Sequence, residues 1–103
     1  MLIVNSHNNR PVRLTIERWK HITRRHPEME SQREKVLETI TEAELIQKGD
    51  FGELIAFRFY DRSPLSSKYL AVVYKEVTDS DGFVITAYYT SKPSDRRRTI
   101  WKR

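Results

Sequence analysis

Two imidazoles, four cations and a tryptophan fall within the eleven residues Arg18-Trp19-Lys20-His21-Ile22-Thr23-Arg24-Arg25-His26-Pro27-Glu28. Imidazole is the side chain whose ordinary titration lies nearest neutrality, so His21 and His26 are the first candidates for proton transfer. A guanidinium such as that of Arg25 suits a phosphate or carboxylate, because its planar fork can donate two parallel hydrogen bonds. The i, i+5 spacing of the histidines does not suit a zinc pair on one helix, which favours i, i+4. The chain also has no cysteine and no HExxH, so the residues call for no metal. At about 100° per residue, Trp19, Ile22 and His26 share one side of a helix, while His21 and Arg25 lie together away from it. The histidines therefore diverge on a regular helix, unless Pro27 swings His26 out of the spiral.

Those side chains need a helix to hold them, and the flanking residues supply one. Thr15 can cap it, Glu17 suits its first turn and Pro27 ends it, which predicts a helix over Ile16 to Arg25. A second helix is expected from Pro27 or Glu28, with Met29, Val36, Leu37 and Ile40 on one side and Glu30, Arg33, Glu34 and Glu38 on the other. After Gly49 and Gly52 the pattern changes to a period of two. Strands are predicted over Glu53 to Tyr60, Lys68 to Val77 and Phe83 to Ser91, with Leu45-Ile46-Gln47 as a shorter one and a tight hairpin at Asp79 to Gly82.

Alternation assigns Phe83, Ile85, Ala87 and Tyr89 to the core and leaves Val84, Thr86, Tyr88 and Thr90 opposite. It likewise sets Ile55, Phe57 and Phe59 against Arg58 and Tyr60, and separates Tyr74 from Lys75. A hydroxyl-rich, partly cationic open face is the consequence. The expected fold is an α+β domain with two N-terminal helices on one face of an antiparallel sheet of about four strands. A basic cleft is expected between helix one and the open sheet edge. The divisions are an N-terminal extended segment over 1–14, a helical part over 15–42, the sheet over 43–91 and a basic tail over 92–103 that adds an edge strand or stays mobile.

At 103 residues the chain has room for one ordinary domain, and with 38% hydrophobic residues it can bury a core. No apolar run approaches the roughly 18 residues that span a bilayer, so no membrane is expected and the reading is cytoplasmic. Charge is distributed in blocks. Residues 1–26 carry six cations against one anion, residues 27–53 three against eight, and residues 54–103 ten against five. An acidic helix flanked by two basic segments suits either a polyanion at the basic ends or simple solubility.

The run Arg18-Trp19-Lys20-His21-Ile22, then Arg25-His26-Pro27-Glu28, with Gly82-Phe83-Val84-Ile85-Thr86-Ala87-Tyr88-Tyr89-Thr90 near the end, resembles a family of small phage and bacterial nuclease domains. These are the barnase, EndoU, colicin and RelE-like nucleases, often abbreviated BECR, and the resemblance covers about residues 13 to 93. It implies metal-independent RNA cleavage without a cofactor, in a toxin-like or RNA-processing protein. The resemblance implies His21 or His26 as general base or acid, Arg25 and also Arg58 or Lys92 as phosphate stabilisers, and Thr86, Tyr88 and Thr90 as orienting hydroxyls. Arg24, Arg96, Arg97 and Arg98 are further candidates for contact with RNA. Two other classes fit the same residues: a non-catalytic nucleic-acid-binding module, in which Arg96, Arg97 and Arg98 hold phosphates and Tyr88 or Trp101 stacks on a base, and a protein-interaction component whose basic face meets an acidic inhibitor or antitoxin protein.

Overall fold

The computed structural model describes residues 1–66 and 68–103. The chain opens with strands β1 (Leu2–Asn5) and β2 (Pro11–Leu14), continues through helix α1 (Ile16–Arg25), one 3-10 turn (Pro27–Met29) and helix α2 (Arg33–Thr41), and ends in five more strands. These are β3 (Leu45–Lys48), β4 (Leu54–Phe59), β5 (Tyr69–Thr78), β6 (Asp81–Thr90) and β7 (Thr99–Lys102). All seven strands form one sheet in the order β1-β2-β6-β5-β4-β3-β7. It is mixed, because β2 runs parallel to β6 while the other pairs are antiparallel.

This corrects the expected architecture. The helices are inserted between a β-hairpin and the rest of the sheet, which has seven strands where about four were expected, one pair of them parallel. The reason is local. Leu2–Asn5 and Pro11–Leu14 are too short to show a period, yet they pair with each other across a turn in which Asn9 adopts φ 60°, a left-handed value that asparagine tolerates. At the other end the tail takes the strand option, and β7 pairs with β3.

Helix α1 has the expected bounds. The Thr15 hydroxyl accepts from the Arg18 amide at 3.0 Å, and Ile22 is its fully buried anchor. Helix α2 starts later than expected. Pro27 seeds a 3-10 turn, not an α-helix, and the backbone of Gln32 is still outside helical geometry. Met29, Val36 and Ile40 are nonetheless all fully buried, since a 3-10 turn followed by a helix presents apolar residues at nearly the spacing of one continuous helix.

Both helices lie over one face of the sheet. Their side chains form the main core with Val12, Leu14, Ile46, Ala56, Leu70, Val72, Tyr74, Val84, Ala87 and Tyr89. The β1–β2 turn curls across this face. Ser6 and Asn8 donate to the Glu76 carboxylate, and the His7 ring stands 3.9 Å from that of Trp101 on the far edge strand. The other face carries a second small cluster of Ile55, Phe57 and Ala71. Its edge is crossed by residues 91–98, where the Gln47 side-chain amide donates to the Ser94 carbonyl at 2.8 Å. Among the described residues no helix is long and apolar enough to cross a membrane.

Two alternation readings are also corrected. In β6 the register shifts: Val73 faces Thr86 and Tyr74 faces Val84, so Ile85 is an extra, bulged residue. Val84 therefore joins Ala87 and Tyr89 in the core, while Phe83 lies on the other side of the bulge under the Arg13 guanidinium, 5.5 Å from its ring centre. In β4 both faces are buried, Ala56 on the helix side and Ile55 and Phe57 opposite. Arg58 and Tyr60 consequently face the helices, not open solvent.

Candidate active site

Strand β2 pairs with β6 only at Arg13 and Phe83, and after Leu14 the chain turns away into α1. From Val84 onwards β6 lacks a strand on that side among the described residues, and α1 packs beside it. Between them opens a cleft of about 520 Å³ lined by Arg18, His21, Arg25, His26, Ile85, Thr86 and Tyr88. The bulge sits at the point where β6 loses its neighbour. The Ile85 carbonyl there accepts from the Arg18 guanidinium at 3.3 Å in a part-buried bond that ties helix to strand at the cleft.

Both histidines reach this space, contrary to the divergence expected from a regular helix. The spiral ends at Arg25. His26 has φ −132° and ψ 77°, outside helical geometry as a residue before proline must be, while its amide still closes the last turn onto the Ile22 carbonyl. Its ring is thereby released from the side of Trp19 and Ile22 and stands 6.1 Å from the Tyr88 ring. The Glu28 carboxylate lies 3.8 Å from His26 Nδ1.

The cations in the cleft are unneutralised. Among the described residues neither Arg18 nor Arg25 is paired with a carboxylate, whereas Arg10, Arg13, Arg58, Arg97 and Arg103 all are. Two imidazoles, two guanidiniums, a phenol and a threonine hydroxyl thus share one open concavity. Such a set can move protons at one point and stabilise negative charge at another. Among the described residues no three His, Cys, Asp or Glu side chains are grouped so as to hold a metal ion.

The remaining sequence-selected residues are elsewhere. Thr90 and Lys92 line a smaller neighbouring cavity with Arg97, and Lys92 is paired with Asp95 at 2.9 Å. Arg24, Arg96 and Arg98 are exposed and outside the cleft. Arg58 is remote from it, because it caps α2: it donates to the Glu42 carbonyl at 2.8 Å, lies 3.5 Å from Glu38 and stacks over Tyr60. Arg58 is thus removed from the set of phosphate stabilisers.

Arg18 is the residue that sequence reasoning missed. The signal was present, since Arg18, His21 and Arg25 stand at i, i+3 and i+7 and so share one helix face. The Ile85 carbonyl had no such signal, because a bulge leaves no mark in side-chain type.

Three tyrosines outside the cleft hold their protons more tightly than usual. Burial is the first cause for Tyr60, Tyr74 and Tyr89, with the Glu38 carboxylate adding to it at Tyr60 and Glu76 at Tyr74. The Tyr89 hydroxyl donates to Gln32 at 2.7 Å, and the Tyr60 hydroxyl reaches Glu38 at 2.8 Å. These are structural groups.

Comparison with known proteins adds no family: no family model matches the chain, and no curated protein or solved structure matches it significantly.

Proposed function

We propose that the protein is a metal-independent endoribonuclease of the barnase, EndoU, colicin and RelE-like type, with the α1–β6 cleft as its active site. The observation that carries this reading is the convergence of His21 and His26 with two guanidiniums that no carboxylate neutralises among the described residues. One imidazole takes the proton from a ribose 2′-OH, whose oxygen attacks the adjacent phosphorus. The bond from phosphorus to the 5′-oxygen breaks, and the other imidazole, protonated, gives its proton to that leaving oxygen. A 2′,3′-cyclic phosphate and a 5′-hydroxyl result, so atoms and charge balance without a further reactant.

Arg25 and Arg18 lie where they can hold the non-bridging oxygens as negative charge builds on the phosphate. Tyr88, beside His26, orients that ring or the substrate. Each acid or base group contributes about 10²- to 10⁴-fold.

The test is cleavage of a mixed tRNA and messenger RNA pool by the purified protein in EDTA. Products ending in cyclic phosphate are expected. Intact RNA that binds the protein tightly, with an affinity falling steeply with salt, would instead favour the nucleic-acid-binding module, for which the exposed Arg96 and Arg98 on the 91–98 segment speak.

A further inference from the structure

Tyr88 belongs to two cavities. Beyond it, on the sheet face away from the helices, a space of about 190 Å³ is lined by Gln47, Phe57, Thr90, Lys92 and Arg97 as well as Tyr88. Its floor is the small apolar cluster containing Ile55 and Phe57, and its far wall is the 91–98 segment. Gln47 is only 2% exposed, and its Nε2 is committed to the Ser94 carbonyl, which accepts and cannot donate. That bond fixes the amide's orientation, since a flipped amide would set two acceptors against each other. Its Oε1 is then left buried without a hydrogen-bond partner among the described residues. A native acceptor in that state calls for a function.

We propose that this cavity is a nucleobase subsite for a nucleotide flanking the phosphate held in the cleft, selective for a base with an amino group on its pairing edge. The proposal rests on the ribonuclease reading for its substrate class. Tyr88, half-buried, offers aromatic surface to a planar ring, while Phe57 and Gln47 Oε1 are both buried and are reached as the 91–98 segment eases outward, Oε1 then accepting from the amino group. Lys92 and Arg97 stand at the rim for a neighbouring phosphate. Their present partners, Asp95 at 2.9 Å and Asp50 at 3.0 Å, form exposed pairs of the kind that exchange readily for another anion.

Oε1 is closed to solvent in the free protein, so the base enters as the roof eases outward. The segment is anchored at Ser94 by Gln47 and at Arg98 by the Lys48 amide, and between them the Asp95 to Arg97 turn is held by the Arg96 amide on the Ser94 hydroxyl and by exposed pairs to Lys92 and Asp50, the contacts that opening would exchange.

Cytosine and uracil make the cleanest comparison, being alike in size and opposite along the pairing edge: cytosine donates from an amino group where uracil presents a carbonyl, and accepts at the adjacent ring nitrogen where uracil donates. The experiment is titration of the protein with cytidine 3′-monophosphate and uridine 3′-monophosphate, followed by calorimetry and by amide NMR. Tighter binding of the cytidine nucleotide by about tenfold is expected, the worth of one hydrogen bond against one acceptor clash. Gln47→Leu should abolish the difference and His21→Ala should retain it. Should Gln47→Leu fail to fold, the wild-type spectra carry the test, with the Gln47 side-chain amide and Ser94 shifting for cytidine more than for uridine. Equal binding of the two nucleotides, or shifts confined to other residues, would overturn the proposal. RNA cleavage without any such preference would remove the subsite and leave the ribonuclease standing. Preference without cleavage would do the reverse.

Discussion

Two regions of this molecule are built from the same kinds of residue and do different work. On the α2–β4 side, Arg58 and Tyr60 meet Glu38 and the carbonyl end of α2, each through direct hydrogen bonds to protein groups. On the α1–β6 side, Arg25, His21 and Tyr88 stand around an open cleft and form no hydrogen bond or ion pair among the described residues. The first arrangement is finished by folding. The second is left incomplete by it, and a set of cations held together without anions is costly unless an anionic ligand completes it. Partnering, more than residue type, sets Arg58 apart from Arg25 in this fold.

Exchanging the perturbation between the two regions sharpens the contrast. Arg25→Ala is expected to lower kcat/KM for RNA cleavage by about 10²-fold or more, the loss typical of one donor to a developing negative charge, with the melting temperature unchanged. Arg58→Ala is expected to do the opposite. It should leave cleavage intact and cost about 1 to 2 kcal/mol of stability in urea denaturation, because the Glu42 carbonyl and Glu38 lose a charged donor. A loss of activity in Arg58→Ala matching that in Arg25→Ala would break the distinction.

A smaller effect follows from the proton affinities of the buried tyrosines. The folded state holds the Tyr60, Tyr74 and Tyr89 protons more tightly than the unfolded chain does. Their contribution is therefore fully present below the ordinary tyrosine pKa of ~10 and is lost as pH rises past it, when the unfolded chain ionises first. Urea midpoints measured across about pH 9 to 11 should fall towards the alkaline end, and Tyr60→Phe should shallow that fall. A flat profile would mean that burial does not govern these hydroxyls.

Much of the α1–β6 side is legible in the sequence. Thr15 and Pro27 bracket α1 by backbone chemistry that depends on no tertiary contact, so the helix carrying His21 and Arg25 was placed correctly. The long strands likewise showed themselves by β-branched and aromatic alternation. Three things were hidden. The four-residue strands β1 and β7 are foreshadowed only as an extended segment and as a tail that adds an edge strand or stays mobile, because so few residues show no period and their partners are set by pairing. The Ile85 bulge reverses the inward and outward sets of β6 with no change in composition, which is why Val84 was assigned to the wrong face. Arg58 was misassigned because β4 is buried on both sides, and alternation cannot say which apolar row meets the helices. His26 shows the limit of the helical wheel, which ceases to apply at the residue before proline.

The account stands on the claim that the two imidazoles in the cleft are the working acid and base. Its most direct test is single-turnover cleavage of one defined RNA by the wild type, His21→Ala and His26→Ala, with melting temperatures recorded on the same samples. Each variant is expected to lose about 10²- to 10⁴-fold in rate while melting with the wild type. Undiminished cleavage in either variant would contradict the claim.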